Sequence, residues 1–180
     1  MRRRSQAKAS KMTVSQDEPT DLSGKRRPLE ERVSFLAHRI NARLLHVCNP
    51  LIADYKLDLF SSRIIVAIAE RGPMRVGDIV ELMALPQSTI SHQLKRLERD
   101  QYIRRTRSET DNRTVVITLT PQGQEMAEIC NRLSDLIMAN ISQALSKQEI
   151  EHLSDLMKRV FDSLPEQAVL DQWPDDERHS

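Results

Sequence analysis

Leu29, Val33, Leu36, Ile40, Leu44, Val47 and Leu51 are spaced by four and three along the chain. That spacing lines them up in one apolar stripe and predicts a long amphipathic helix. Pro28 suits its first turn, and Asn49-Pro50 predicts a kink or a fresh turn near its far end. A second helix is predicted from about Leu59 to Glu70, stopped by Arg71-Gly72-Pro73. Val76 to Met83 forms a short third helix with Val76, Ile79, Val80 and Met83 on one side, ended by the turn Ala84-Leu85-Pro86. The helix beyond, capped by Ser88 or a neighbour, turns Ile90, Leu94 and Leu97 inward and leaves Gln87, Ser91, His92, Lys95, Arg96 and Arg99 outward. Two short helices joined by a tight turn make a helix-turn-helix.

The period then changes. Ile103 to Arg107 and Thr114 to Leu119 are β-branched and alternating, and the polar stretch Ser108 to Arg113 between them predicts a β-hairpin with a polar tip. Thr120-Pro121 starts a long helix that turns Met126, Ile129, Leu133, Leu136, Ile137, Ile141 and Leu145 inward. Ser146 and Glu149 make a capping box, opening a last helix with Ile150, Leu153, Met157, Val160 and Leu164 inward. The fold class expected is mainly α with a small β-wing. A winged helix-turn-helix over 57–120 is flanked by an N-terminal dimerisation helix over 29–56 and C-terminal dimerisation helices over 121–164. These flanking helices carry more apolar face than the central unit can cover, so a homodimer is expected.

Composition agrees: aromatic residues are 3% and glycines number four, so the core is drawn from Leu, Ile, Val, Met and Ala, most of which favour helices. The longest apolar run, Ile64 to Ala69, is far short of the roughly 20 residues of a membrane helix. No apolar stretch follows Arg2, Arg3 and Arg4 to act as a secretory core. No membrane partner and a cytoplasmic location are expected. The net charge of +1 hides an asymmetry: 1–27 carries a local net of +5 and 165–180 a local net of −4. Both ends lack apolar periodicity, so 1–28 is expected to be a disordered basic tail and 165–180 a disordered acidic one. Cys48 and Cys130 each stand alone in an apolar helical pattern, as small buried hydrophobes do.

The chemistry concentrates in the helix near Gln87 and the hairpin after it. Ser88, Thr89, Ser91, His92 and Gln93, with Gln87, are candidates for base edges or nearby phosphates. Lys95, Arg96 and Arg99, with Arg104, Arg105, Arg107 and Arg113, place seven cations between Gln87 and Arg113, able to approach phosphates. Glu98, Asp100, Glu109 and Asp111 offset part of that charge. Charge alone fits an ordinary solvated surface equally well.

Motif spacing adds to this. Tyr55-Lys-Leu-Asp58, Gln87-Ser-Thr-Ile-Ser91, Leu97-Glu-Arg-Asp-Gln-Tyr-Ile103, and above all Asp111-Asn-Arg113 followed by Ile117-Thr-Leu-Thr120 and Gly123, resemble the MarR family of winged-helix transcription regulators. The resemblance implies that Asp111 holds the wing in shape and that Arg113 enters the minor groove, whose narrow stretches attract arginine. It also implies a two-fold dimer on a pseudo-palindromic double-stranded DNA operator. An effector pocket between the dimerisation and DNA-binding parts is implied as well, with ligand releasing the DNA, as for a repressor. Aromatic acids, phenols and coenzyme A thioesters are effectors of such relatives. Arg39, Arg43 and His46, beside the apolar stripe of the first helix, are the effector candidates, against a reading as a solvated flank or surface ion pairs. The chain departs from the pattern in having Asn112 where a second Arg is common, Glu109 at the wing tip, Gln101 for a common glycine and Asp58 for a common threonine.

Other readings remain open at this level. An ArsR-like metal-sensing repressor would suit Ser88 to Leu94, but no Cys pair accompanies it. Oxidation sensing through Cys48 or Cys130 is a further reading, though Cys48 lies near the end of the first helix with no polar activator in sequence. A winged-helix module that binds only protein is the alternative from another class. An enzyme is disfavoured: Gly24, Gly72, Gly77 and Gly123 are too scattered for a phosphate loop, and no nucleophile or metal cluster forms. No cofactor and no metal are expected.

Overall fold

The computed structural model describes residues 27–107 and 114–164. The chain divides into two compact units, Met1–Val47 and Cys48–Ser180. In the first, a 3-10 turn at Leu29–Glu31 leads into α1 (Val33–Ile52), whose last turn belongs to the second unit. Pro28 caps the 3-10 turn rather than lying inside a helix, and Pro50 sits within α1 without ending it. The stripe along α1 is real as a pattern, yet Leu29, Val33, Leu36, Ile40 and Val47 are all exposed.

The second unit follows the predicted order: α2 (Leu59–Arg71), α3 (Val76–Met83), α4 (Gln87–Arg99), β1 (Ile103–Arg107), β2 (Val115–Leu119), α5 (Pro121–Ala144) and α6 (Lys147–Asp162). Each boundary has a local cause. Asp58 caps α2 in a reciprocal pair with Ser61, and Gly72 ends it at φ +79°, a conformation few L residues adopt. Thr120 caps α5 by accepting from Gly123 N, with Pro121 at the first helical position. Ser146 and Glu149 form the capping box of α6. The cap of α4 departs from expectation: the cap position is Pro86, and no side chain closes that end.

The core is the meeting of α2, α4, α5 and the hairpin. Ile64 and Ile65 of α2, Ile79 of α3, Ile90, Leu94 and Leu97 of α4, Ile117 of β2 and Cys130 of α5 are all but sealed from solvent. The hairpin pairs Ile103 with Leu119 and Arg107 with Val115 in antiparallel register. A third segment, which the sequence pattern does not announce, joins it: Met74 and Ile117 exchange both backbone hydrogen bonds, at 3.1 and 2.7 Å. The base of the wing is thereby tied to the start of α3. The inward face expected of α6 is not buried: Leu153, Met157, Val160 and Leu164 are exposed, as are Leu136 and Ile141 toward the end of α5. Burial in α5 stops at Leu133 because the elements of this unit reach no further.

Candidate nucleic-acid interface

α4 is an amphipathic helix with unusually unequal faces. Ile90, Leu94 and Leu97 seal one side against α2 and α3, while Gln87, Ser88, Thr89, His92, Lys95 and Arg99 are exposed and Ser91 is half-buried. The first turn therefore offers short polar side chains on a helix whose pose is set by its apolar seam. α3 packs beside it, completing the helix-turn-helix, with Ala84 in the left-handed conformation at the turn.

Two predicted contact residues lie elsewhere than expected. Gln93 is 8% exposed, and its Nε2 donates to Asp58 Oδ2 at 3.2 Å. The reason is helical spacing: position 93 shares the face of Ile90, Leu94 and Leu97, so its amide is carried into the fold and needs an internal acceptor. Gln93 is thus a packed residue and not one presented to a base edge. Arg96, expected outward, is half-buried: Nη1 donates to Asp58 Oδ2 at 3.0 Å and to Gln93 Oε1 at 3.3 Å, and Nη2 to the Lys56 carbonyl at 3.1 Å. Burial alone would raise the Asp58 carboxyl. The hydrogen bonds from the Ser61 amide, Arg96, the Ser61 hydroxyl and Gln93 together outweigh it and hold the group below the ordinary aspartate range.

The remaining cations differ in their commitments. Arg99 forks onto Asp100 at 3.1 and 2.9 Å, and Arg105 Nε reaches Glu98 at 3.2 Å. Arg105 and Glu98 are both solvent-accessible, and Arg99 is exposed against a largely covered Asp100. Ion pairs between exposed groups contribute little. Lys95, Arg104 and Arg107 are exposed and make no ion pair among the described residues. Asp111, Arg113 and Glu109 lie outside the described residues. What is described of the wing is its base: Thr120 N donates to the Tyr102 carbonyl at 3.1 Å, and Thr120 Oγ1 bonds the Gln101 carbonyl. Gln101 takes φ +62°, which accounts for the glycine common at this position in the resembling family. Gly123 is required by close approach, since a Cβ there would collide with the Tyr102 backbone carbonyl.

Arg39, Arg43 and His46 are exposed along α1 in the first unit. Cys48 and Cys130 are buried free thiols. Burial pushes the Cys48 thiol up despite the opposing charge of Arg63, and pushes Cys130 up to about 11. A raised pKa disfavours the thiolate, the reactive form, at neutral pH.

A polar first turn on a firmly seated helix, a paired hairpin after it and unpaired surface cations are what entry into a DNA groove requires. Residues 46–129 match the family model for the transcriptional regulator SarA/Rot. The HTH-type transcriptional regulator MgrA of Staphylococcus aureus is 27% identical over 139 residues, covering 77% of this chain and 93% of that protein. The chain is similar to winged-helix transcription regulators of the MarR type. Two solved structures share the fold. A MarR family regulator from Listeria monocytogenes, complexed with 26mer DNA, has a TM-score of 0.69 at 19% identity, over 74% of this chain and 89% of that one. CouR from Rhodococcus jostii, bound to p-coumaroyl-CoA, has a TM-score of 0.68 at 18% identity, over 75% and 95%. The relatives this chain matches are transcription regulators rather than enzymes. Among its described residues no helix is long and apolar enough to cross a membrane.

Proposed function

We propose that the regulator is a homodimeric repressor that reads a pseudo-palindromic operator and is released from it by a small-molecule effector. The observation that carries the reading is the seating of α4, with Ile90, Leu94 and Leu97 sealed and the polar first turn exposed. In this reading Gln87, Ser88, Thr89, Ser91 and His92 meet base edges in the major groove. Lys95, Arg99, Arg105 and Arg107 meet phosphates, and Arg113 enters the minor groove from a wing held by Asp111. Division into a dimerisation helix over 29–56, a DNA-binding part over 57–120 and dimerisation helices over 121–164 is supported by the uncovered apolar rows of α1 and α6. Release by an aromatic acid or its coenzyme A thioester is supported by the thioester bound to CouR. Arg39, Arg43 and His46 are the cations proposed to meet its negative charge.

Titration against duplexes from the regulator's own upstream region and against an unrelated duplex, at two salt concentrations, tests the reading. Tight, footprinted binding to the first alone is expected, with affinity falling steeply as salt rises. Arg113→Ala is expected to weaken operator binding about tenfold or more while the dimer persists. Equal binding by wild type and variant removes the wing assignment, and no binding to either duplex favours a protein-interaction module. Release by added aromatic acids or thioesters in the same assay checks the effector.

A further inference from the structure

Asp58 and the recognition helix are joined by hydrogen bonds that span 35 and 38 residues of sequence. The carboxylate is anchored at its own end, where Oδ1 accepts from Ser61 N at 2.8 Å as the cap of α2. Its other oxygen takes Gln93 Nε2 and Arg96 Nη1, while Arg96 Nη2 donates to the Lys56 carbonyl just before α2. Both terminal nitrogens of Arg96 are therefore turned toward the start of α2. Swinging the guanidinium out to a phosphate would break these bonds, leaving Asp58 Oδ2 with Gln93 Nε2 alone and taking Arg96 away from the Gln93 Oε1. Lys95, the residue before it, is exposed and makes no ion pair among the described residues.

The apolar seam by itself does not fix the pose of α4. Contacts among Ile90, Leu94 and Leu97 resist separation but are non-directional, so they tolerate small rolls and slides. Directed hydrogen bonds at two positions three residues apart on one face remove that freedom. We propose that Asp58 is a positioning residue for DNA recognition, latching α4 to the start of α2 through Gln93 and Arg96, and that Arg96 serves this latch instead of contacting a phosphate. The proposal rests on the reading that α4 enters the major groove.

The test uses the full chain and a duplex that wild type selects from a randomised library, with an unrelated duplex beside it. Asp58→Asn keeps a capping oxygen for Ser61 N while losing the charge that holds Arg96. Asp58→Thr keeps the cap and loses the reach, and serves if the first variant folds poorly by circular dichroism. Each of Asp58→Asn and Arg96→Gln is expected to lower the ratio of selected to unrelated affinity about tenfold, the size of a single mismatched base pair. The double variant is expected to fall no further than the worse single, with the salt slope unchanged throughout. A general loss of folded protein would weaken both duplexes alike and leave the ratio unmoved, which counts against the proposal. A phosphate-bound Arg96 would lower the salt slope by about one on Arg96→Gln, and Asp58→Asn would then tighten binding to both duplexes by freeing the cation; either result overturns the latch. If wild type selects no sequence, the groove reading fails and takes the latch with it. If wild type selects a site and the Asp58 variants keep the full ratio, the latch alone fails.

Discussion

Asp58 shows how one side chain acquires two duties. Its place before Leu59 marks it as a helix cap, which spacing alone reveals. Its bonds to Gln93 and Arg96 arise only because α2 and α4 cross there. Since the folded carboxyl is held below its ordinary value, the charge contributes stability above the ordinary value, and that contribution disappears as pH falls through the folded one. The gap in urea midpoint between wild type and Asp58→Asn is therefore expected to be constant near neutrality and to close below about pH 3.9. A gap unchanged through that acid range would show that the carboxylate's charge contributes nothing to the latch. Gln93 gives the complementary lesson: its polar name suggested a base contact, but its position on the Ile90 and Leu97 face decided its burial.

At the scale of elements, boundaries were legible wherever they are written in local chemistry. Thr120-Pro121, Ser146 with Glu149, and Gly72-Pro73 end or begin helices where the sequence places them. The cap of α4 was not, since Pro86 offers no side-chain acceptor to read. Nor was the Met74 and Ile117 pairing, a single long-range bridge without alternation around it. The junction between wing and α5 makes the sharpest demand. Thr120 N donates to the Tyr102 carbonyl, Gly123 N donates to the Thr120 hydroxyl, and Gly123 leaves no space for a methyl group. Gly123→Ala is expected to cost about 1–3 kcal/mol by chemical denaturation, because backbone rather than a flexible side chain has to move. A loss under about 0.5 kcal/mol would mean that the start of α5 slides freely, as surface changes do.

At the scale of the whole molecule, the exposed apolar row of α6 is the feature one chain leaves unexplained. Met157 is 53% and Phe161 62% exposed, one helical turn apart. Placing a charge at both, in Met157→Glu with Phe161→Glu, is expected to convert the proposed dimer to monomer in sedimentation. Operator affinity would then fall about 100-fold, since the second half-site is no longer held at high effective concentration. The core of α2, α4, α5 and the hairpin is untouched by these changes, so a folded monomer should remain. A persistent dimer would place the interface elsewhere. The sequence by itself determined the order and type of nearly every element, the apolar seam of α4 and the resemblance that points to DNA, because periodicity, caps and motif spacing are local. Tertiary structure alone decided that Gln93 and Arg96 of α4 turn inward, why Gly123 has no substitute and how Asp58 holds the recognition helix. Those outcomes depend on distances between segments far apart in the chain, which no local pattern records.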